Sequence, residues 1–503
     1  MTQTQAHRPE GFTNTAPGLL LLALWVLPLL INPVVALSFD EVYLAPKVLW
    51  IYAALLPSAL LVLWRYREAL RNTRGLLILL AAWIGWLILS TLLNRAGWPG
   101  WWGTSDRADG MLMHLIYAVL LLAGFAWMRS NSEAPLLLGR TILLGGALLA
   151  VTSILQQVGL MGVPGEGAMA GVSATPYGGT LGNRGYMGGA LALLLPVALA
   201  TLAAQPRRGW HWLAVVLMTW GWAGSLTRGA WIAGALGLLW LLVWARPRPT
   251  FRTWAAVLFG VALSVVTVSV RGEGRAFNLS SDSNGTGQAI ADSSGRRVLW
   301  QSALFGISKR PLFGWGTPAL WQAMNERPVN ELLEDTGQES PAKAEHPNPA
   351  SMQAHHFVVT HLNVEREQTR NKPLASERQT GLRQDEPANV KRLNAAPTEA
   401  PRFLVIHPGG KRELVVLPIN KVHNEYLDYA LTYGLPAALL FTALVATALW
   451  SSRTFLPGIS AGLLAYAAYL LTWPEIIRFA PLAWFMMGIA LATQHKRRRD
   501  SRT

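Results

Sequence analysis

The chain has 503 residues, of which 51% are hydrophobic and only 14% are charged, and it contains no cysteine. Soluble globular chains carry about 25% charged residues, and a soluble chain of this length would form roughly three domains with charged surfaces. The composition therefore excludes a soluble multidomain enzyme, and the apolar fraction excludes disorder over most of the chain. The lack of cysteine excludes disulfide scaffolds, thiolate zinc sites and cysteine nucleophiles.

Apolar stretches long enough to cross a bilayer recur along the chain. A helix needs about 20 mostly apolar residues to cross the hydrocarbon core. The sequence therefore predicts an all-α polytopic membrane protein with about 12 transmembrane helices. The predicted spans are 17–37, 44–64, 75–93, 110–128, 135–157, 186–204, 209–224, 226–245, 252–270, 424–450, 455–473 and 479–495.

Lysine and arginine in the short loops predict the orientation, because cytoplasmic loops carry an excess of them. If the N-terminus is cytoplasmic, most of these residues lie in the inner loops and the C-terminal tail, and both termini are inside. The same distribution explains the net charge of +15 without nucleic acid as a partner. A cleaved signal peptide is the alternative for the first apolar segment, although no strong basic region precedes it and no small-residue cleavage site follows it.

The segment 271–422 is far longer than an ordinary connection between helices, and it is predicted to face outward. Its residue spacing predicts helices over 296–308 and 318–334. Residues 336–400 are polar and are predicted to be partly disordered, and two β-rich runs around a Pro-Gly-Gly turn then predict a hairpin. The predicted domains are a membrane bundle (1–270), the large outer loop (271–422) and a C-terminal membrane part with a basic tail (423–503).

Charged residues at the outer ends of the predicted spans are the candidate functional residues, because a charge near lipid is costly without a partner. Arginine forks match phosphate oxygens in pairs, and an imidazole, with an ordinary pKa near 6.5, exchanges protons near neutral pH. An arginine cluster beside such a base suits transfer reactions with a phosphate leaving group. The residues that stand out are Arg107, Arg184, Arg228, Arg296, Arg297 and His423, with Asn183 and Asn424 beside them.

Each of these residues also has a purely structural interpretation. A single arginine at a helix end is usually an anchor that extends its charge to the interface, and His423 could simply bond the backbone at a helix start. The 23 tryptophans fit interfacial belts. His114, within a predicted span, fits the core better than a proton relay, and the polar loop's His355, His356 and His361 are poor metal candidates.

Two stretches resemble the O-antigen ligase and O-antigen polymerase superfamily. The run from His423 to Gly434 has the family's His-Asn pair at a helix start, followed by Leu427. It departs from the family pattern at Lys421, where a second histidine is common, and at Thr432, where an acidic residue is common. The second run, SGRRVLWQSALFGISKRPLFGWG, and two weaker matches supply Arg296, Trp300, Pro311, Gly314, Gly316, Arg228 and Asn183.

This resemblance implies a GT-C-like glycosyltransferase that moves a glycan from undecaprenyl pyrophosphate to an acceptor hydroxyl, with inversion at the anomeric carbon. The reaction would occur on the outer face of the bacterial inner membrane and would need neither a metal ion nor a cofactor. His423 would be the general base that deprotonates the acceptor. The residues implied to bind the pyrophosphate are Arg228 and Arg296, then Arg107 and Arg184, with Asn183, Arg297 and Asn424 in support.

The acceptor stays open at this point. With lipid A core as the acceptor the enzyme would be an O-antigen ligase, which is slightly favoured. With a second carrier-linked glycan it would be a polymerase, and with a protein serine it would be an O-oligosaccharyltransferase. The alternative of another class is a transporter or flippase of lipid-linked sugars, but such proteins usually show internal repeats and sites near the midplane. A scaffold without chemistry would leave the outer arginines and His423 unexplained.

Overall fold

The computed structural model identifies the chain as a polytopic membrane protein. Seven helices among the described residues are long and apolar enough to cross a membrane, and three shorter apolar helices accompany them. The chain divides into a first unit, Met1–Ile88, Trp101–Leu279 and Leu439–Thr503, and a second unit, Leu89–Gly100 and Ser280–Ala438. The structure describes residues 15–32, 39–71, 73–164, 175–206, 208–246, 248–271, 296–328, 389–393, 402–406, 412–416 and 421–500.

Among the described residues, twelve α-helices precede the long loop. Their bounds are α1 Thr15–Leu29, α2 Phe39–Tyr43, α3 Ala45–Trp50, α4 Leu56–Arg65, α5 Arg74–Leu93, α6 Gly97–Trp102, α7 Met111–Ser130, α8 Ala134–Gln157, α9 Arg184–Ala204, α10 Gly209–Ala223, α11 Arg228–Trp244 and α12 Phe251–Val270. A π-helical turn at Ile51–Leu55 joins α3 to α4, and short 3₁₀ helices lie at Arg67–Leu70 and Gly179–Leu181. The stretch Asp40–Arg65 acts as one apolar helix of 26 residues.

The remaining elements begin inside the predicted outer loop. Their bounds are α13 Arg296–Lys309, α14 Ala319–Glu326, β1 Asn389–Leu393, β2 Arg402–Ile406, β3 Arg412–Val416, α15 Glu425–Tyr433, α16 Leu435–Ser452, α17 Pro457–Tyr469 and α18 Ala480–Asp500. Strand β2 pairs antiparallel with β3, as the predicted hairpin requires, and also with β1. Strand β1 lies inside the stretch 336–400 that is predicted to be partly disordered, and its main chain pairs with β2. Residues 336–388 lie outside the described residues.

Two predicted helix boundaries are wrong. The span predicted at 424–450 is divided into α15 and α16, because Gly434 has a φ of +92° and ends the first helix. The loop helix predicted at 318–334 ends at Glu326, because Arg327 is extended and Pro328 follows it; a residue before proline disfavours helical geometry. The number of spans, twelve, stays a prediction, as does the outward position of the long loop.

Close backbone approach builds the first unit. Helix α9 packs against α8, α10, α11 and α17, and α7 packs along α18. A side chain at Gly462 would collide with the carbonyl oxygen of Leu193 on α9, and one at Gly488 with the carbonyl oxygen of Leu121 on α7. Small residues at contacts are typical of helices in lipid, where burial of apolar side chains supplies little driving force for association.

In the second unit, the segment after α13 is hydrogen bonded along the end of α15. We call residues 310–316 the anchored loop. Three main-chain hydrogen bonds hold it: Trp315 N to Leu431 O at 2.9 Å, Gly316 N to Thr432 O at 2.9 Å, and Leu435 N to Pro311 O at 2.8 Å.

Two glycines permit this contact. Gly314, with a φ of +63°, would collide with the main chain of Leu431 if it carried a side chain, and Gly434 would collide with the carbonyl oxygen of Leu312. Both glycines belong to the stretches that resemble the ligase superfamily. The two stretches are therefore one packed substructure.

We expect Gly434→Ala to lower the thermal midpoint of the purified protein. Its backbone conformation (φ +92°, ψ 164°) costs a non-glycine residue about 1–3 kcal/mol, and its Cβ would collide with Leu312. The measurement is the fraction of monodisperse protein after heating in detergent. Gly75→Ala is the control, because a Cβ at Gly75 meets nothing within 4 Å; equal midpoints for both variants would contradict the packing described here.

Candidate functional site

The N-terminal ends of α9 and α11 meet the same short segment of the first unit. A side chain at Gly185 would collide with the ring of Trp473, and the Cβ position of Gly229 lies 3.7 Å from Trp473 Cδ1. Each glycine follows an arginine that begins its helix, Arg184 in α9 and Arg228 in α11, and both arginines are exposed. Two predicted site residues are thus brought to one place, together with two positive helix ends that favour anions.

Tyr186, in the first turn of α9, connects this place to two further arginines. Arg107 Nη1 donates to the Tyr186 hydroxyl at 3.0 Å, and the Arg478 guanidinium lies 5.2 Å from the centroid of the Tyr186 ring. Trp473 meets the same ring edge-on at 5.7 Å. The Arg107 side chain is 14% exposed and Arg478 is 3% exposed, so that both are largely removed from water.

Buried basic side chains donate hydrogen bonds to the turn before α9. Arg478 Nη1 donates to the carbonyl oxygen of Leu181 at 2.8 Å. Lys47, which is fully buried, donates through Nζ to the carbonyl oxygen of Thr180 at 3.0 Å and to that of Leu30. Main-chain carbonyl groups therefore take the place of water around these donor groups, as burial of a polar group requires.

Burial and neighbouring groups act in opposite directions on the two arginines. Burial would lower the pKa of Arg107, but the Tyr186 phenol and the carboxylates of Asp106 and Asp109 outweigh it and raise that pKa above its usual value. Burial lowers the pKa of Arg478 to about 10, while Tyr186 acts to raise it. Both guanidinium groups stay positive at neutral pH.

We call Lys47, Arg107, Arg184, Arg228 and Arg478 the cationic cluster. Arg107 and Arg478 contact Tyr186, Lys47 and Arg478 bond the turn before α9, and Arg184 and Arg228 begin the two helices that meet at Trp473. The sequence predicted Arg107, Arg184 and Arg228 and missed the other members. A cation within a mostly apolar segment, as in the WPEIIRFAP run around Arg478, was the signal that could have identified Arg478.

His423 lies in the second unit, immediately before α15. It is half-buried and has a φ of +55°, a left-handed conformation that is uncommon for residues other than glycine. Asp428 fixes the two residues that precede His423. Its carboxylate accepts from Lys421 Nζ at 2.6 Å and from Val422 N at 3.4 Å. The position at which the sequence departs from the family pattern, Lys421, therefore has a structural partner.

Arg296 and Arg297 are the first two residues of α13, also in the second unit. Arg296 is half-buried and Arg297 is exposed. Helix α13 packs on α15, and the close approach of Gly306 to Leu431 brings the C-terminal parts of the two helices together. Arg296 begins α13 and His423 lies just before α15. The opposite ends of these two helices are in contact.

The two predicted asparagines act as helix caps. Asn183 Oδ1 accepts from Gly185 N at 2.8 Å, and Asn424 Oδ1 accepts from Leu427 N at 3.2 Å. His114 has its Nδ1 2.9 Å from the carbonyl oxygen of Gly110 and is buried, which agrees with the core interpretation. Within the described ranges, no group of three or more His, Asp or Glu side chains is placed to hold a metal ion.

We expect Asn183→Ala to lower the free energy of unfolding by about 1 kcal/mol, the usual loss when a helix cap is removed. Asn183→Ser should keep most of this stability, because a hydroxyl oxygen can still accept from Gly185 N at the helix start. Thermal midpoints of the detergent-solubilised variants measure the difference. If serine and alanine destabilise equally, the asparagine has another role than capping.

Comparison with known families places a domain on this chain. Residues 213–348 match the family model described as O-antigen ligase, a range that includes Arg228, Arg296 and the anchored loop. None of the curated proteins matches the chain. The match supports the resemblance to the O-antigen ligase superfamily over residues 213–348, and His423 lies outside that range.

Proposed function

We propose that this protein is a metal-independent, inverting glycosyltransferase of the O-antigen ligase type. The donor is a glycan on undecaprenyl pyrophosphate, and the acceptor is a hydroxyl group at the outer face of the bacterial inner membrane. The observation that carries the proposal is the cationic cluster, in which exposed Arg184 and Arg228 begin two neighbouring helices and buried Lys47 and Arg478 bond the turn before α9. The matched domain, residues 213–348, supports the reaction class.

The reaction is a single displacement at the anomeric carbon. The acceptor oxygen forms a bond to that carbon while the bond from the carbon to the pyrophosphate oxygen breaks. The acceptor proton moves to a base, and undecaprenyl pyrophosphate leaves with the bonding electron pair. Attack from the face opposite the leaving group inverts the configuration.

We assign the leaving group to arginines. Arg228 and Arg296 bind the pyrophosphate oxygens, and Arg107 and Arg184 assist. Guanidinium forks are suited to this because they donate two parallel hydrogen bonds to phosphate, and each hydrogen bond to a charged group contributes about 1.5–3 kcal/mol. Arg228 and Arg296 both lie inside the matched domain.

We assign the base to His423. Its left-handed backbone is a conformation that persists only when the surroundings fix it, and such positions cluster at functional sites. The ion pair of Lys421 with Asp428 fixes the segment directly before His423. Asn424 and Arg297 support the site from the starts of α15 and α13.

The acceptor determines which reaction of the superfamily the protein carries out. A ligase reaction to lipid A core is favoured because the His-Asn pair is of the ligase type. Polymerisation onto a second carrier-linked glycan and transfer to a protein serine are the alternatives within the superfamily, and a flippase of lipid-linked sugars is the alternative of another class. Both termini lie in the cytoplasm in this proposal, as the loop arginines predict.

We expect His423→Asn to reduce glycan transfer by about 10²–10⁴-fold, the contribution of a general base. Asparagine tolerates the left-handed conformation of this position but has no group that titrates near neutral pH. The assay uses purified protein, a carrier-linked glycan and each candidate acceptor, and a mass or mobility shift reports the product. Wild-type turnover by a well-folded His423→Asn protein would refute the assignment.

The same assay separates the alternatives. The acceptor that is modified identifies ligase, polymerase or protein transferase, and analysis of the product linkage reports inversion or retention. Movement of the donor across vesicles without covalent transfer, unchanged in His423→Asn, would favour the flippase.

We expect Arg228→Ala to reduce donor use by about 10- to 150-fold, which corresponds to the loss of about 1.5–3 kcal/mol. Arg228→Lys should be intermediate, since lysine keeps the charge but loses the bidentate fork. Arg252→Ala is the matched control, because Arg252 is also exposed in the first turn of a long helix but is predicted to face the cytoplasm. An equal loss in Arg228→Ala and Arg252→Ala would contradict a role in donor binding.

A further inference from the structure

The second unit carries an exposed patch where α13 ends, which we define as Leu304, Ser308, Lys309, Arg310 and Leu312. Leu304 is 55% exposed and Leu312 is 58% exposed, and the three polar members are also exposed. The patch therefore combines two large apolar side chains with two cations over less than three helical turns.

Hydrogen bonds fix the height of this patch relative to a predicted span. Phe313 O accepts from Ser90 Oγ at 2.6 Å and from Asn94 Nδ2 at 2.7 Å. Ser90 lies in the last turn of α5, a helix long and apolar enough to cross a membrane, and Asn94 directly follows that helix.

A second span holds the other side of the loop. Leu435, the first residue of the candidate span Leu435–Ser452, donates its N–H to Pro311 O at 2.8 Å. The anchored loop is therefore joined to the last turn of one span and to the first residue of another. One turn of helix rises 5.4 Å, so the loop lies at the level at which both apolar helices leave the bilayer core.

Exposed leucines lie at this level in both spans as well as in the anchored loop. At the end of α5, Leu92 and Leu93 are 57% and 54% exposed, and at the start of α16, Leu435 is 43% exposed. Exposed leucines on a membrane-spanning helix face lipid, so the exposed Leu312 of the adjoining loop extends a lipid-facing surface that two spans already provide.

The basic side chains are arranged as they are at membrane interfaces. Lys309 Nζ lies 5.5 Å from the centroid of the Phe305 ring, and the Arg310 guanidinium lies 4.1 Å from that of the Trp315 ring. Lysine and arginine at a membrane interface lay their apolar stems on neighbouring apolar groups while their charges reach the phosphates.

We propose that this patch is a membrane-docking surface whose partner is the phospholipid bilayer surface. Leu304 and Leu312 enter the outer edge of the hydrocarbon core, and Lys309 and Arg310 contact lipid phosphates. Lipid contact at the end of α13 holds the helix that begins with Arg296 against the membrane, where a lipid-linked donor arrives. The docking itself requires no catalytic activity and stands whether or not the proposed function does.

The absence of cysteine in the native chain allows a direct test. Leu304→Cys and Leu312→Cys, each labelled with a fluorophore in vesicles of phosphatidylethanolamine and phosphatidylglycerol, should be quenched by lipids with a nitroxide high on the acyl chain. Leu92→Cys is the positive control on a span. Glu326→Cys, at an exposed position that ends α14 in the same unit, is the negative control and should be quenched only by a water-soluble quencher.

A charge variant tests the phosphate contact. In the Leu312→Cys background, replacing Lys309 and Arg310 by glutamate should reduce quenching by the lipid nitroxide and increase quenching from water, most strongly with phosphatidylglycerol present. A patch covered by another protein or by the chain itself would be shielded from both quenchers. That result, or quenching at Leu304 and Leu312 equal to that at Glu326, would overturn the proposal.

Discussion

The start of α9 depends on basic side chains that are buried away from water and bonded to main-chain carbonyl groups instead. Lys47 and Arg478 donate to the carbonyl oxygens of Thr180 and Leu181, the residues that turn the chain into α9. A buried donor without such partners would be strongly unfavourable, so a movement of the turn would leave the donors of Lys47 and Arg478 unsatisfied. The start of α9 is therefore held in place by electrostatics rather than by side-chain packing alone.

The second unit meets a different constraint, the exclusion of side chains from a backbone contact. Gly314 and Gly434 let two distant segments approach until their main chains pair. This contact joins the C-terminal end of α13, which begins with Arg296, to that of α15, which follows His423. The contact therefore helps to fix how these two helices are placed. Sequence signatures that look like separate motifs are in this case two sides of one interface.

Much of the cationic cluster could be predicted from the sequence, because spans that run in the same direction begin on the same face. Arg184 and Arg228 begin helices of this kind. Burial was beyond the sequence: Lys47 lies in an ordinary apolar pattern, and only packing shows that it faces inward. The break at Gly434 was also missed, because one glycine in an apolar run is tolerated by a helix; the glycine followed two residues later by Pro436 is, however, a recognised helix end.

Capping limits how an anion can be bound at these helix starts. Asn183 already accepts from Gly185 N, which removes one of the free N–H groups that a phosphate would use. The arginine side chains must then supply most of the direct bonds. Fixing an exposed side chain such as Arg184 or Arg228 costs about 1.5–2 kcal/mol of rotamer entropy, while a charged hydrogen bond returns about 1.5–3 kcal/mol. One arginine making one bond is close to neutral, so firm binding requires forks that make two bonds each or several arginines acting together, and this is a physical reason for a cluster instead of a single cation.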